Sequence, residues 1–206
     1  RAIAELEATL DLSKAVFLYS SKGGACPEAK KAFEYFYSRY EGTDEEIGGH
    51  FIAITDPDLP LHHLAAAKKF RDIYYTKFDV GGRFGSLSTE MLVVAGIMGV
   101  DIQGILNSTV SHAVPLLRSY IPSEKNPACV LASTLEGLRR NGYDKLNIIA
   151  IGRLAGFTPW KEALISESSG KDGKGIIPIA NEALFVDNVD VYGRNDTAFM
   201  YVHIIG

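Results

Sequence analysis

Short apolar runs typical of buried β-strands alternate with amphipathic helical patterns in the first part of the chain. Ala15–Tyr19 predicts such a strand, the glycines Gly23-Gly24 interrupt it, and Pro27 occupies the expected first position of a helix, where proline is favoured. The alternation continues through strand Phe51–Ile54, helix Leu61–Phe70 and strand Ile73–Tyr75. Strands separated by helices predict βαβ units, and therefore an α/β fold with a parallel sheet.

Between Ser88 and Gly142 the pattern is mostly helical, and strand patterns return only after it. The returning elements are strand Leu146–Ile151, helix Pro159–Ser168, strand Ile176–Ile179 and strand Ala198–Ile205. We therefore expect residues 1–142 to form a first domain with its connecting helices, and residues 143–206 to begin a second. Because no strand precedes Ala15 and the chain ends on an apolar strand, we expect an internal fragment of a longer protein.

The composition gives no indication of nucleic-acid binding, membrane insertion or a disulfide-stabilised fold. The 206 residues carry a formal net charge of −4, which gives no electrostatic reason to expect nucleic acid or a membrane as partner. The longest apolar run, Met91–Val100, is far shorter than the roughly 20 residues of a membrane-spanning helix. Cys26 and Cys129 are too few for a disulfide framework, and no signal peptide opens the chain. We expect a soluble cytoplasmic protein.

The segment between the first predicted strand and helix is a candidate anion site. Ser21-Lys22-Gly23-Gly24 lies where backbone N–H groups at a helix start can bind an anion, and Lys22 adds a positive charge. From these residues alone, an ordinary turn and a phosphate-binding loop are equally compatible with the segment.

Two further segments carry candidate catalytic side chains. Arg83 follows Gly81-Gly82, and adjacent glycines indicate a backbone that needs a positive φ or closely approaches a ligand. Its permanent charge suits it to stabilising an oxyanion, whereas the other interpretation is an exposed surface arginine. Glu167 lies near the end of a helix that stops at Gly170. It is either a solvated surface carboxylate or, if burial raises its pKa, a base.

The strings Gly81-Gly82-Arg83-Phe84 and Ser166–Lys171, in this order, resemble the glucose-6-phosphate isomerase family. Ala53–Pro57 and Gly170–Pro178 resemble in particular the isomerase half of bifunctional transaldolase–phosphoglucose isomerase proteins. The resemblance implies an α/β fold of sugar-isomerase (SIS) domains, each a doubly wound, flavodoxin-like parallel sheet. Residues 1–142 would then be most of the first such domain, and the remainder would begin the second.

The resemblance also implies roles for individual residues. Arg83 would stabilise an enediolate, and Glu167 would move a proton between C1 and C2 of the sugar. Ser21, Lys22 and the glycines Gly23-Gly24 would bind the phosphate. The implied reaction interconverts glucose 6-phosphate and fructose 6-phosphate in glycolysis and gluconeogenesis, without a metal or other cofactor. The implied partners are a sugar phosphate and either a second copy or the remainder of the parent chain.

Several positions depart from the family pattern. Gly23, Ala25 and Cys26 stand where the family has hydroxyl residues that hold the phosphate, and Gly85 replaces a serine. Ala163 stands where the family has a glutamine that contacts the sugar. Gly23, Ala25, Cys26 and Ala163 favour an alternative, a non-catalytic SIS-domain protein that binds phosphosugars or scaffolds a partner, whereas the retained Arg83 and Glu167 favour the enzyme. The departures also lead us to expect that the fragment alone is inactive.

Two other patterns are not expected to form sites. His62-His63 are adjacent in sequence and therefore point to different sides of a helix, which favours a surface position over a metal site. Gly48-Gly49 lacks the spacing of a dinucleotide-binding loop.

Overall fold

The computed structural model describes residues 2–118, 121–180 and 195–204. The chain divides into two compact units, Arg1–Asn107 and Ser108–Gly206. The division falls within the helix Ile102–Leu116. The domain boundary expected near Gly142 lies further along the chain than this division, and it stays a prediction.

The first unit is an α/β unit with a parallel sheet, as the alternating pattern predicts. Its helices are α1 (Ala2–Thr9), α2 (Pro27–Tyr37), α3 (Asp44–Gly48), α4 (Pro60–Ala67) and α5 (Thr89–Ile97), and its strands are β1 (Phe17–Ser20), β2 (Phe51–Thr55) and β3 (Asp72–Tyr75). The described strands form a parallel sheet in the order β1-β2-β3. In this register Leu18 pairs with Ile52, and Ile52 pairs with Asp72.

Aromatic packing around β2 forms the core of the first unit. Every residue of β2 is buried, because this central strand has neighbours on both edges and apolar side chains on both faces. Helix α2 begins with Pro27 and buries Phe33 and Phe36, which are three positions apart and so share one face. The ring of Phe36 stacks on that of Phe17 at 4.5 Å, and Phe33 meets Phe51 edge-on at 5.4 Å. This packing fixes the strand ends that carry the candidate site.

The second unit contains another parallel sheet. Its elements are α7 (Pro127–Arg140), α8 (Phe157–Ser169), β4 (Lys145–Ala150), β5 (Ile177–Ala180) and β6 (Thr197–Val202), preceded by α6 (Ile102–Leu116), which crosses from the first unit. The described strands run in the order β5-β4-β6, and β4 is buried from Leu146 to Ala150. The helical pattern predicted from Ser88 to Gly142 is confirmed by α5, α6 and α7. The predicted end of the last strand, Ile205, lies outside the described residues.

The fold is therefore mixed α/β with parallel sheets, consistent with the SIS-type architecture expected from the sequence. None of the helices in the described ranges combines the length and apolar character needed to cross a membrane.

Candidate active site

The carboxyl ends of three neighbouring strands bring polar residues together in the first unit. Ser21 and Lys22 follow β1, Asp56 follows β2, and Thr76 follows β3. Because the strands are parallel, these residues lie along one edge of the sheet, the usual location of ligand sites in open α/β sheets. The sheet topology thus gives the candidate phosphate residues a common location.

Lys22 is held by contacts to the segments that follow β2 and β3. Its ammonium nitrogen lies 3.0 Å from Oδ1 of Asp56 and also donates to the carbonyl oxygen of Lys77. Its own carbonyl oxygen accepts from the N–H of Asp56 at 3.1 Å and from the hydroxyl of Thr55 at 3.2 Å. The hydroxyl of Thr76 donates to the same Asp56 carboxylate. Lys22 is therefore fixed in position and its charge is compensated by a carboxylate.

Only some of the backbone N–H groups of the Ser21–Gly24 turn can bind an anion, because the others already donate hydrogen bonds within the protein. The N–H of Ser21 donates to Ile54 O at 3.0 Å, and the N–H of Gly24 donates to Ser21 O at 3.1 Å. Gly24 has a φ of +67°, and a Cβ atom there would meet the backbone nitrogen of Leu61 at 2.8 Å, so glycine is required. Within the described residues, the N–H groups of Lys22 and Gly23 are those left for a ligand.

The positions where the family has hydroxyl residues carry no hydroxyl group here, and there is unfilled space beside Gly23. A Cβ atom on Gly23 would meet nothing within 4 Å. Cys26 is exposed at the N-cap of α2 without a side-chain cap, and its Sγ lies 3.3 Å from Oε2 of Glu28. The side chains at positions 23, 25 and 26 therefore provide no hydroxyl to an anion in this loop.

A cavity of about 340 Å³ lies beside Lys22, entirely within the first unit. Its polar lining includes Lys22, Thr76, Ser88, Thr89 and Glu90, and its apolar lining includes Phe84 and Leu87. Ser88 and Glu90 flank the start of α5, and the Ser88 hydroxyl lies 2.7 Å from Oε2 of Glu90. The cavity thus combines hydrogen-bonding groups with an apolar wall.

Arg83 is half-buried on the short 3₁₀ helix Gly82–Leu87 of the first unit. Of the two alternatives for the preceding glycines, a positive φ is wrong, because Gly81 has a φ of −69° and Gly82 does not lie in the left-handed region. A close approach of this backbone to a ligand stays a prediction. A Cβ atom on either would meet no other atom within 4 Å, so these glycines leave space in front of the backbone. Arg83 does not line the cavity beside Lys22, although Phe84 does.

Glu167 lies in the second unit, in the last turn of α8. Its side chain is exposed there, so the partial burial that would suit a base is not provided by the described residues. The segment after the helix is tight, because Lys171 and Lys174 exchange backbone hydrogen bonds of 3.0 and 2.9 Å. Asp172 and Gly173 make this turn with φ of +54° and +67°.

The structure therefore brings Ser21, Lys22, Gly23 and Gly24 into one turn, places Arg83 in the same unit, and places Glu167 in the other.

Sequence reasoning gave no role to Asp56. The available signal was an aspartate directly after a buried strand, next to a second strand end that carries Lys22. In the described ranges, no three His, Cys, Asp or Glu side chains come together as a metal site would require.

Several curated proteins are similar to this chain, all named glucose-6-phosphate isomerase. One from Symbiobacterium thermophilum is 32% identical over 202 residues, which is 94% of this chain and 43% of that protein. One from Parabacteroides distasonis is 31% identical over 162 residues, covering 77% and 36%. One from Thermosynechococcus vestitus is 27% identical over 211 residues, covering 99% and 37%. The chain thus spans less than half the length of these relatives. No protein-family model matches it.

Two solved structures share the fold. A hypothetical protein from Thermus thermophilus matches with a TM-score of 0.78 and 22% identity, over 98% of this chain and 50% of that one. A glucose-6-phosphate isomerase from Chlamydia trachomatis matches with a TM-score of 0.67 and 23% identity, over 85% and 34%. The sequence similarities support a relationship to the glucose-6-phosphate isomerase family, and the structural matches show the fold.

Proposed function

We propose that this chain is part of a glucose-6-phosphate isomerase that interconverts glucose 6-phosphate and fructose 6-phosphate. The observation that carries the proposal is the extent of the similarity. The match to the isomerase from Thermosynechococcus vestitus covers 99% of the chain, and so includes both units and the segments around Arg83 and Glu167.

In the proposed reaction, Glu167 removes the proton from C2 of the open-chain aldose phosphate and returns it to C1. The hydroxyl proton on the C2 oxygen passes to the C1 oxygen in the same sequence, so that C2 becomes the carbonyl carbon and C1 carries the new hydroxyl group. The enediolate formed between these steps carries negative charge on oxygen. Arg83 compensates that charge, because a guanidinium group stays protonated throughout. This mechanism requires Arg83 and Glu167 to approach one cleft. It also requires that Glu167 be covered, and we propose that segments present in the longer relatives supply this cover.

The phosphate group of the substrate would bind at the Ser21–Gly24 turn. The N–H groups of Lys22 and Gly23 and the hydroxyl of Ser21 are the donors that this turn offers. Because the family's hydroxyl residues are absent here, we expect weaker phosphate binding than a complete loop would provide.

The alternative function is a non-catalytic SIS-domain protein that binds a phosphosugar or scaffolds a partner. Two observations favour it: the Asp56 carboxylate already compensates the charge of Lys22, and Glu167 is exposed. Such a protein would bind fructose 6-phosphate without turning it over.

The same resemblance also suggests the domain composition, compartment and pathway of the whole protein. We propose that the parent protein carries a transaldolase half and works in the cytoplasm, in glycolysis and gluconeogenesis. We also propose that the chain associates with the remainder of that protein or with a second copy, which light scattering of the isolated chain would detect. A strictly monomeric chain would speak against the second copy.

The deciding experiment is a coupled assay of the parent protein with fructose 6-phosphate. Because general base catalysis contributes about 10²–10⁴-fold, Glu167→Gln should reduce kcat by that factor. Glu162→Gln, a matched change on the same helix, should leave kcat unchanged. Arg83→Lys should lower kcat more than it raises KM, because the planar guanidinium geometry is lost. An inactive parent protein that still binds fructose 6-phosphate would favour the non-catalytic alternative.

A further inference from the structure

We infer that the cavity beside Lys22 binds the neutral, polyhydroxylated chain of a sugar rather than a phosphate group. The inference rests on the proposed function and deepens it, because it assigns the sugar part and the phosphate part of one ligand to separate places. The phosphate stays at the Ser21–Gly24 turn, and the carbon chain with its hydroxyl groups enters the cavity.

The first support is the hydrogen-bonding state of Lys22. An ammonium group has three N–H donors. One of them is used by Asp56 at 3.0 Å and a second by the carbonyl oxygen of Lys77. A single donor remains for the cavity, which suits one hydroxyl oxygen and falls short of what the three oxygens of a phosphate accept.

The second support is a set of hydrogen-bonding groups on Glu90 and Thr89 in the cavity lining. Oε2 of Glu90 accepts from the Ser88 hydroxyl at 2.7 Å, while Oε1 accepts from no residue that the structure describes. The Thr89 hydroxyl, also at the cavity wall, makes no hydrogen bond to any described residue. A carboxylate oxygen only accepts, so it recognises a hydroxyl hydrogen, and Thr89 can then serve the neighbouring hydroxyl.

The third support is the charge balance. Lys22 and Lys77 at the wall are matched by Glu90 at the wall and by Asp56 behind Lys22. No excess positive charge is left for a dianion, and a phosphate group in the cavity would face the Glu90 carboxylate. A neutral ligand meets no such repulsion.

The fourth support is the apolar wall. The Phe84 ring is 74% exposed although it borders the cavity, and Leu87 lies beside it. A sugar chain presents C–H groups on one side and hydroxyl groups on the other. The lining supplies an aromatic and an aliphatic side chain for the C–H groups, and carboxylate, hydroxyl and ammonium groups for the hydroxyl groups.

The test uses the 206-residue chain with fructose and inorganic phosphate as separate probes in ligand-observed NMR titrations. Because hydrogen bonds to a charged group are strong, Glu90→Gln should weaken fructose binding about tenfold while phosphate binding stays unchanged. Thr89→Val should weaken fructose binding in the same direction. The matched control is Glu45→Gln, an exposed glutamate on α3 far along the chain from the cavity residues, which should change neither titration.

Each outcome decides the inference. Equal fructose affinity in Glu90→Gln and Glu45→Gln, or undetectable fructose binding by the unsubstituted chain, would overturn it. Tighter phosphate binding in Glu90→Gln, with phosphate displacing fructose, would also overturn it and make the cavity an anion site. Glu90-dependent fructose binding in a parent protein that lacks isomerase activity would support this inference while defeating the proposed reaction. An active parent protein whose KM is unaffected by Glu90→Gln would support the proposed reaction and overturn this inference.

Discussion

The ammonium nitrogen of Lys22 lies 3.0 Å from Oδ1 of Asp56, so the residues that follow two neighbouring parallel strands are joined by an ion pair. The Asp56 side chain is only 10% exposed and also accepts from Thr76, at the end of the third strand. One carboxylate therefore links three strand ends.

We expect Asp56→Ala to destabilise the protein by about 1–3 kcal/mol, because it leaves the Lys22 ammonium and the Thr76 hydroxyl without their partner. Urea unfolding followed by circular dichroism would measure this. Asp79→Ala removes an exposed carboxylate from a nearby loop and should change the free energy of unfolding by less than about 0.5 kcal/mol. Equal effects of the two substitutions would contradict the structural role of Asp56.

Alanine substitutions at the two glycines of the Ser21–Gly24 turn should have different effects on stability. Gly24→Ala places a side chain at a φ of +67° and brings its Cβ to 2.8 Å from the backbone nitrogen of Leu61, so we expect a loss of about 1–3 kcal/mol. Gly23→Ala meets no atom within 4 Å and should be nearly neutral. Thermal unfolding of the two variants side by side gives the comparison, and a stable Gly24→Ala protein would contradict the described turn.

The sequence predicts much of the fold, because its strongest signals are local. The apolar runs Phe51–Ile54 and Leu146–Ile151 coincide with the central strands β2 and β4, and continuous apolar runs are typical of strands buried on both faces. The predicted end of the second run is one residue too late, because β4 ends at Ala150 and Ile151 is exposed. Pro27 marks the first residue of α2 as expected. The start of β1 is less well predicted, because Ala15 and Val16 continue the apolar run although the strand begins at Phe17.

The site is predicted less completely, because its contacts join residues that are distant in sequence. Lys22 and Asp56 are separated by 34 positions, and nothing local to either residue indicates an ion pair. The glycine pair before Arg83 indicated either a positive φ or a close approach to a ligand, and the sequence alone does not decide between them. The structure excludes the first at Gly81, whose φ is −69°, and leaves open space at both glycines. The family resemblance assigns roles to Arg83 and Glu167 but does not determine how buried either side chain is.

The ion pairs at the end of α7 predict a pH dependence. Hydrogen bonds from Arg139 and Arg140 lower the pKa of Glu136 to about 2. A carboxylate with a depressed pKa stabilises the fold above its unfolded-chain pKa of about 4.3 and loses that contribution as the pH falls toward the folded value. The stability difference between the unsubstituted chain and Glu136→Gln should therefore be present at pH 7 and shrink below about pH 4.3.

Because Glu136 is exposed to solvent, this difference should be small and should also decrease with added salt. Thermal unfolding at several pH values and two salt concentrations would measure it. A difference that stays constant down to about pH 2 would show that the two arginines do not act on Glu136 as the distances indicate.

The isolated chain should show no measurable isomerisation of fructose 6-phosphate. Glu167 is exposed, up to three hydroxyl side chains that the family resemblance leads us to expect are absent at Gly23, Ala25 and Cys26, and the chain spans less than half the length of its relatives. A coupled assay that detects glucose 6-phosphate would test this expectation, with the glucose-6-phosphate isomerase from Symbiobacterium thermophilum as positive control. Robust turnover by the 206 residues would show that neither the altered turn nor the missing length prevents catalysis.

Introducing a hydroxyl side chain into the Ser21–Gly24 turn should strengthen the binding of fructose 6-phosphate. Gly23 has open space at its Cβ position, so Gly23→Ser can be accommodated without displacing a neighbour. A new hydrogen bond to a charged oxygen contributes about 1.5–3 kcal/mol, which corresponds to roughly 10- to 100-fold tighter binding of fructose 6-phosphate. Isothermal titration would measure the dissociation constant.

The matched control is Gly156→Ser, at a position in the second unit that is equally open and has a φ of −69°. It should leave the affinity for fructose 6-phosphate unchanged. If Gly23→Ser has no larger effect than this control, the phosphate does not contact the turn, and the scaffolding alternative gains support. If Gly23→Ser tightens binding while no turnover is detected, the turn binds phosphosugar and the non-catalytic, phosphosugar-binding alternative gains support.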